Sequence, residues 1–386
     1  MLRSLFPTAG SSISDHSDDT LPENSAFPRR YLAAFVFISA IFFVFNSIDS
    51  LRFLSSSTTS SSSSLPSSSS LSFIFPSNNR ISSQDKKYRL ERVLKDAATE
   101  DSTVIITTLN EAWAAPDSII DLFLESFRLG LRTQRLLNHL VIVALDDKAF
   151  RRCLTLHKHC VALLTEGIDF SKEAYFMTPD YLKMMWRRID FLRTVLEMGY
   201  SFIFTDADIM WFRDPFAHFS PDTDFQIACD YFSGNPFDIH NKPNGGFNYV
   251  KSNNRSIEFY KFWYSSQEKY PGYHDQDVLN FIKHNPYIAE IGLRMRFLDT
   301  AYFGGFCQPS KDLNKVCTMH ANCCYGMDNK LYDLKLMLED WRLFLSMPSS
   351  LKRSQGYSWR VPKNCSLSSF RPPKAVKKSN GEGSRS

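Results

Sequence analysis

Tyr200-Ser-Phe-Ile-Phe-Thr205 is an apolar run that leads directly into Asp206-Ala207-Asp208. The run has the length and the aromatic and β-branched content of a buried strand, and the two carboxylates follow where that strand would end. In open α/β sheets, ligands bind at the carboxyl ends of the strands. Carboxylate oxygens suit Mg²⁺ or Mn²⁺, and such sites combine one or two carboxylates with substrate phosphates. The stretch therefore predicts a metal that holds a diphosphate, although most Asp-x-Asp sequences are solvated turns.

Strand and helix patterns alternate on both sides of this stretch. Strand patterns occupy residues 102–108, 140–145, 226–229 and 245–250, and helical patterns occupy 119–131, 179–199, 256–265 and 276–283. The order strand, helix, strand at the start of this region is that of a parallel sheet with right-handed crossovers. The predicted fold class is α/β, with a mainly parallel central sheet flanked by helices.

The amino-terminal region contains an uncharged apolar run from Leu32 to Ile48, preceded by Arg29-Arg30. A bilayer span needs about 17 to 25 residues, so this run is just long enough for a thin membrane. The arginine pair would keep the amino terminus in the cytoplasm and place the rest of the chain in the lumen. A cleaved signal peptide is the alternative, but no small-x-small site follows the run. We therefore expect an uncleaved signal anchor.

Composition divides the 386 residues into five predicted regions. They are a cytoplasmic tail (1–28), a transmembrane signal anchor (29–49), a serine-rich luminal stem (50–100), a folded domain (101–346) and a flexible tail (347–386). The serine-rich stem buries too little apolar surface to offset the entropy of folding. The formal net charge of +4 is too small to indicate a nucleic acid or an acidic polymer as a partner.

The eight cysteines all follow the predicted anchor, and a luminal location permits disulfides. Cys153 and Cys160 could close a short loop. The later cysteines could pair among themselves in ways that the sequence leaves open; they are Cys307, Cys317, Cys323, Cys324 and Cys365. A zinc site near His320 is the alternative, but adjacent cysteines lack the usual Cys-x-x-Cys spacing.

Two further motifs are candidates for ligand contact. Asn244-Gly245-Gly246 precedes a predicted strand; its glycines let the main chain approach a sugar or phosphate, and the asparagine can bond hydroxyls. A tight turn is the alternative interpretation. Lys183 and Arg187 lie four residues apart on one helical face, where they would either reach a diphosphate or form the solvated side of the helix.

Acidic, amide and histidine side chains complete the candidate site. Asp275-Gln276-Asp277 begins a predicted helix. We expect Asp275 to cap that helix, which leaves Gln276 and Asp277 to face a substrate. His320 is the candidate third ligand beside the two acids of the Asp-x-Asp sequence, although a lone histidine is more often a surface or satisfied core residue.

Five segments, taken together, resemble a known family. They are Lys183 to Leu192, Phe204 to Pro215, Asn244 to Phe247, His274 to Asp277 and Cys307 to His320. These segments resemble the nucleotide-diphospho-sugar transferase domain of glycosyltransferase family 77, over about Val104 to Trp341. The resemblance implies a GT-A fold in a plant or algal Golgi type II membrane protein. It also implies retaining transfer of xylose, arabinose or galactose from UDP to a cell-wall polymer or glycoprotein.

The resemblance also assigns expected roles to single residues. Asp206, Asp208 and His320 would bind Mn²⁺ or Mg²⁺, and this metal would bridge the α- and β-phosphates of a UDP-sugar. Residues 244–246 and 276–277 would contact the donor sugar and the acceptor, with Asp277 as the carboxylate near the anomeric carbon. By fold analogy, Thr107 and Asn110 would contact the nucleotide.

The implied partners are the nucleotide-sugar donor, a glycan or glycoprotein acceptor and the membrane, through one amino-terminal helix. Oligomers with itself or with other glycosyltransferases are left open. Two alternative functions remain, namely a nucleotide-sugar phosphohydrolase and a catalytically silent glycan-binding or scaffold subunit. The intact set of Asp206, Asp208 and His320 weighs against the silent subunit.

Overall fold

A seven-stranded sheet lies at the centre of the structure, a computed structural model that describes residues 83–164, 178–353 and 357–365. The strands of this sheet and of a smaller one are β1 (Thr103–Leu109), β2 (Leu140–Ala144), β3 (Cys160–Ala162), β4 (Ser201–Thr205), β5 (Ile209–Trp211), β6 (Phe225–Tyr231), β7 (Lys242–Val250), β8 (Met295–Phe297), β9 (Phe303–Gly305) and β10 (Thr318–His320). The large sheet has the order β3-β2-β1-β4-β7-β6-β8, and the small sheet has the order β5-β10-β9.

The large sheet is mainly parallel, as the sequence predicts. Strand β7 runs antiparallel to its neighbours β4 and β6, whereas the other neighbouring strands pair in parallel. Because β7 is reversed, its amino-terminal part lies at the same edge of the sheet as the carboxyl ends of β1, β4 and β6. That edge is where an open α/β sheet binds its ligands.

Helices cover both faces of the large sheet. They are α1 (Ser83–Ala97), α2 (Glu111–Ala114), α3 (Ile119–Leu129), α4 (Asp147–Leu156), α5 (Pro179–Glu197), α6 (Asn254–Ser265), α7 (Asp275–Ile282), α8 (Pro286–Glu290), α9 (Met327–Ser346) and α10 (Ser349–Arg353). Alternate residues of β1 point to opposite faces. Val104 and Ile106 join a core with α1, α5, α6 and α7, whereas Ile105 joins a core with α3, α4 and α9.

Helix α5 begins and ends where its sequence predicts. The Thr178 side chain caps its amino terminus by accepting a hydrogen bond from the Tyr181 amide, and Pro179 occupies the first turn. Gly199, with φ of 86°, follows the end of the helix in a conformation that favours glycine. One stripe of the helix, including Ile189 and Leu192, is buried against the sheet.

Two boundaries of the predicted regions differ from the structure. The whole of α1 falls in the predicted stem, yet its residues Leu90, Leu94 and Ala97 are buried in the core. Residues 357–365 fall in the predicted flexible tail, yet the Asp333 carboxylate accepts hydrogen bonds from the backbone of residues 363–365. Composition alone misses both segments because a few apolar or backbone contacts hold each in place.

The predicted anchor, residues 29–49, lies outside the described residues. Within residues 83–164, 178–353 and 357–365, no helix has both the length and the apolar character that crossing a bilayer requires.

Three disulfides join six of the eight cysteines. Cys153 pairs with Cys160, as the sequence suggests, and the other bridges are Cys307–Cys323 and Cys324–Cys365. Because Cys323 and Cys324 are both oxidised, the alternative of a cysteine–histidine zinc site near His320 is wrong. Cys229 and Cys317 are buried thiols, and burial raises the pKa of each.

Candidate active site

A cavity of about 420 Å³ opens at the edge of the sheet where β1, β4 and β6 end and β7 begins. Helices α5 and α7 and the loop between β10 and α9 complete its walls. The lining side chains that matter below are Asn110, Tyr181, Arg188, Asp206, Asp208, Asp230, Asn244, Gln276, His320, Asn322 and Lys330. This volume is in the range of sites that bind small molecules and cofactors.

Three potential metal ligands meet in this cavity. Oxygen or nitrogen atoms of Asp206, Asp208 and His320 all lie within 4.8 Å of one another. The small sheet creates this meeting, because β10 pairs with β5 so that His320 lies opposite Ile209, the residue after Asp208. His320 Nε2 is 3.1 Å from Asp208 Oδ1 and 4.0 Å from Asp206 Oδ2.

The residues at this point fit a divalent cation. Asp208 Oδ1 is buried and, among the described residues, has no aligned hydrogen-bond donor, even though the His320 ring is close. Buried acceptors of this kind are rare unless something else satisfies them. A Cβ atom at Gly246 would lie 2.6 Å from both Asp206 Oδ2 and His320 Cε1, so only glycine leaves room between strand β7 and the ligand set. Two carboxylates and an imidazole are suitable ligands for Mn²⁺ or Mg²⁺.

Two cations form ion pairs with three acids of the cavity, Asp206, Asp208 and Asp275. Lys330 Nζ, in the first turns of α9, is 2.5 Å from Asp208 Oδ2. Arg188, on α5, places one nitrogen 3.1 Å from Asp206 Oδ1 and the other 2.6 Å from Asp275 Oδ2. The Arg188 side chain is 6% exposed and that of Asp275 is 2% exposed, so this pair is a buried salt bridge.

The two acids of the motif differ in their protonation tendency. Burial by itself would raise the pKa of Asp208, but the Lys330 ammonium and the His320 ring hold it well below its usual value. For Asp206, burial raises the pKa; Arg188 opposes this rise, whereas the neighbouring Asp208 charge adds to it. Burial would lower the pKa of His320, but the Asp208 carboxylate raises it overall. Asp208 is therefore the firmly ionised member of the pair.

A network of amides orients a further carboxylate, Asp230, at the end of β6. Its Oδ1 accepts hydrogen bonds from the Asn244 and Asn322 side chains, at 2.8 and 2.7 Å. Its Oδ2 accepts one from the Gln276 side chain at 2.8 Å, and the Gln276 oxygen accepts one from the Gly245 amide at 2.9 Å. Polar side chains held in this way are suited to bind the hydroxyls of a sugar.

Most of the predicted donor-contact residues line this cavity. They are Asn110, Asn244, Gly245, Gly246 and Gln276. Thr107 does not line it: its side chain is fully buried inside the sheet, and the next residue, Thr108, faces the cavity instead. This difference follows from the two-residue alternation of a strand.

The remaining predictions about α5 and α7 need correction. Lys183 and Arg187 line a different concave surface, on the other side of α5. Asp275 does not cap α7; the His274 ring caps it by accepting from the amides of residues 276 and 277, and Asp275 is buried against Arg188. The Asp277 side chain is 40% exposed and does not line the cavity. In each case the residue that has the predicted position is a neighbour in the sequence. Arg188 faces the cavity in place of Arg187, His274 caps the helix in place of Asp275, and Gln276 lines the cavity in place of Asp277.

The structure adds four polar residues that the sequence analysis did not select, namely Arg188, Asp230, Asn322 and Lys330. Asp230 was detectable, because it follows a predicted strand in the same way that Asp206 does. Arg188 was also detectable, because it is a charged residue within the buried stripe of α5. Lys330 and Asn322 lie in or after a loop whose path the sequence does not reveal.

Comparison with known proteins shows the family to which this chain belongs. Residues 135–334, more than half of the chain, match the family model described as nucleotide-diphospho-sugar transferase. An uncharacterized protein of Arabidopsis thaliana is 54% identical over 283 residues, which are 73% of this chain and 75% of that relative.

Relatives and solved structures with assigned activities are more distant. The Arabidopsis thaliana UDP-D-xylose:L-fucose alpha-1,3-D-xylosyltransferase MGP4 is 23% identical over 177 residues, covering 45% of this chain and 47% of its own length. A crystal structure of a glycosyltransferase involved in glycosylation of the major capsid of PBCV-1 aligns with 60% of this chain and 98% of that chain, at 10% identity and a TM-score of 0.37. A structural likeness this weak supports no conclusion.

The family match bears out the resemblance drawn from the five sequence segments. It covers α5, the Asp-x-Asp sequence, β7, α7 and His320, which form most of the cavity. The chain belongs to the nucleotide-diphospho-sugar transferase family and is a glycosyltransferase.

Proposed function

We propose that this protein transfers a sugar from a UDP-sugar to a hydroxyl of a glycan or glycoprotein in a metal-dependent reaction. The observation that carries the proposal is the meeting of Asp206, Asp208 and His320 beneath Gly246, in a cavity of suitable volume. UDP-xylose, UDP-arabinose and UDP-galactose are the proposed donors. The name of the Arabidopsis relative, a UDP-D-xylose-dependent transferase, supports xylose among them.

Different residues of the cavity have different proposed roles at the diphosphate. A divalent cation held by Asp206, Asp208 and His320 would neutralise the charge that develops on the departing nucleoside diphosphate. Lys330 brings a second positive charge to the same end of the cavity. Arg188, anchored by Asp275, holds the Asp206 carboxylate in one orientation.

The sugar end of the donor would face the amide network around Asp230. We propose Asp230, in place of Asp277, as the carboxylate that positions the donor sugar, because it faces the cavity and three amides fix its orientation. Gln276 remains in the proposed site, since its side chain joins Asp230 to the Gly245 backbone. Fixed polar groups of this kind reduce the reorganisation that the reaction requires.

We also propose that the protein acts in the Golgi membrane, with a single amino-terminal span and its catalytic domain in the lumen. The apolar run at 32–48 and the arginine pair before it support this proposal. The three disulfides agree with an oxidising compartment.

Calorimetry and a product assay test the proposed reaction. The full-length protein is titrated with UDP, with and without Mn²⁺, and each UDP-sugar is then incubated with and without acceptor glycans. We expect UDP binding that needs Mn²⁺, and sugar transfer that needs an acceptor. Free sugar formed equally with and without acceptor would indicate a phosphohydrolase instead, and metal-dependent UDP binding without any product would indicate a silent subunit.

A further inference from the structure

A second concave surface lies beside the candidate active site, on the other side of helix α5. It has a volume of about 400 Å³, and we call it the α5 groove. Its lining residues are Leu182, Lys183, Trp186, Arg187, Tyr264, Gln267, Tyr270, Pro271, Gly272 and Tyr273. Four of these side chains are aromatic and two are cationic. The cavity of the candidate active site, called the donor cavity from here on, is instead rich in acids.

The periodicity of α5 separates the two concave surfaces. Tyr181, Met185 and Arg188 line the donor cavity, whereas Lys183 and Arg187 line the α5 groove. The segment before α7 also contributes to both surfaces, because Tyr273 lines the groove and the next residue, His274, lines the cavity. An indole hydrogen bond of 3.3 Å from Trp186 to the Tyr273 carbonyl fixes this segment against the helix. A chain-like ligand that enters the cavity is therefore within reach of the groove.

Aromatic rings stand partly in solvent at the groove. Tyr273 is 46% exposed, and neighbouring Phe281 is 41% exposed. The Phe281 ring is 5.1 Å from the Tyr270 ring and 5.2 Å from the Tyr273 ring, measured between centroids, so the three form one cluster. Exposed apolar clusters with polar neighbours commonly mark binding sites. Rigid aromatic faces supply contact area to a ligand at little entropic cost, and tyrosine adds a hydroxyl for polar groups.

The charge of the groove indicates what kind of ligand it takes. Its lining, as far as the chain is described, includes Lys183 and Arg187 but no carboxylate. Each cation has one partly exposed partner on the same helix, Asp180 at 3.9 Å and Asp190 at 3.3 Å. Pairs of this type are weak.

Arg187 provides an independent observation. Its side chain is 40% exposed, and Nη1 pairs with Asp190 at 3.3 Å. Because this pair is partly exposed and weak, the guanidinium stays accessible to the carboxylate of a ligand. Arginine is well suited to bind a carboxylate through two parallel hydrogen bonds.

We infer that the α5 groove binds the acceptor, and that this acceptor is a glycan with carboxylate groups, such as a chain of uronic acids. The inference rests on the proposed glycosyltransfer to a glycan and names its acceptor class. The sugar rings stack on the cluster of Tyr270, Tyr273 and Phe281, and the carboxylates bind Lys183 and Arg187. The two cations predicted to bind the diphosphate thus serve the acceptor instead.

Calorimetry with a matched pair of ligands tests the inference. The probes are an oligosaccharide of uronic acids and its carboxyl-reduced, neutral counterpart, each titrated into the full-length protein without nucleotide. We expect the acidic oligosaccharide to bind at least about tenfold more tightly than the neutral one. Equal affinities would overturn the assignment of the charge, and tighter binding of an acidic peptide, such as an oligoglutamate, would overturn the assignment to a glycan.

Variants of the groove locate the binding. Replacing both Lys183 and Arg187 by Glu should abolish binding of the acidic oligosaccharide, and Tyr273→Ala should weaken it about tenfold. The matched controls are Lys335→Glu, an exposed cation on α9, and Phe237→Ala, an exposed aromatic residue outside both concave surfaces. Losses of equal size in the controls would overturn the inference. Circular dichroism and thermal unfolding establish that each variant is folded.

Nucleotide binding separates failure of this inference from failure of the proposed function. The groove variants should keep the wild-type affinity for UDP in Mn²⁺, within about twofold. If UDP binds but the acidic oligosaccharide does not, the groove assignment is wrong and the proposed reaction stands. If the oligosaccharide binds and UDP does not, the groove assignment stands and the proposed reaction is wrong.

Discussion

The donor cavity and the α5 groove share one helix but differ in how far their charged groups are buried and paired. In the cavity, charged groups are buried and already paired, as the Arg188–Asp275 and Lys330–Asp208 contacts illustrate. In the groove, aromatic rings and cations are partly exposed to solvent, and the cations have only weak ion-pair partners. The comparison suggests a general rule. Buried and paired side chains are preorganised for a small charged ligand, whereas exposed rings and cations suit a long ligand that varies in structure.

The largest expected effect comes from removing the firmly ionised acid of the cavity. Asp208→Asn should lower the transfer rate by about 10³-fold or more, because it removes one ligand of the proposed metal site and leaves Lys330 without its counter-charge. The measurement is acceptor-dependent transfer in Mn²⁺. Asp222→Asn, an exposed acid on a loop, is the control and should keep the wild-type rate. A rate for Asp208→Asn above a tenth of the wild-type rate would contradict the proposed metal site.

The next effect is on stability and concerns the buried pair in the cavity wall. Arg188→Met should lower the free energy of unfolding by about 3 to 5 kcal/mol, because it leaves the Asp275 carboxylate buried and unpaired. Arg193→Met, which breaks partly exposed pairs on the same helix, should cost about 1 kcal/mol or less. Urea unfolding measures both values. Equal losses would show that the cavity does not depend on its buried pair.

A smaller effect is expected from Lys330, which forms an ion pair with Asp208 of the proposed metal site. Lys330→Met should raise the affinity for Mn²⁺ alone about tenfold, because it frees Asp208 Oδ2 and removes a repelling charge, and should weaken UDP binding by a similar factor. Calorimetry measures both affinities. Lys335→Met, on the exposed side of the same helix, is the control. Unchanged Mn²⁺ affinity would mean that Lys330 does not compete for this acid.

The smallest effect is expected from salt, and it distinguishes the two surfaces directly. Raising the ionic strength from about 0.05 M to about 0.5 M should weaken binding of the acidic oligosaccharide several-fold, because the groove's cations are solvent-exposed and hence screened. UDP binding in Mn²⁺ should change less, since the charges of the cavity are largely buried. A larger salt effect on UDP than on the oligosaccharide would reverse the comparison.

Several elements of the fold were predictable because local patterns determine them. The helix from Pro179 has a capping threonine, a first-turn proline and a glycine after its end, and the structure confirms its bounds within two residues. The strand before Asp206 is likewise confirmed. By contrast, β3, β8 and the small sheet escaped prediction, since each strand has only three residues and owes its pairing to distant segments.

In the candidate site, too, some residues were predictable from local patterns and others were not. Asp206 and Asp208 were identifiable because they end a strong strand pattern, and Asn244 to Gly246 because two glycines precede another. Thr107, Lys183, Arg187 and Asp277 were assigned to the right elements but to the wrong faces. A shift of one residue reverses the face of a strand and turns a helix position by about 100°, so sequence alone does not separate such neighbours.

By itself, the sequence determined the α/β class, the position of the acidic motif at a strand end and the family resemblance, because each depends on residues that are adjacent in the chain. Only the tertiary structure decided that Lys330 joins Asp208, that Arg188 rather than Arg187 supports Asp206, and that two concave surfaces flank one helix. The physical reason is that these contacts join segments far apart in sequence. Their geometry follows from strand order and helical phase, which no local pattern specifies.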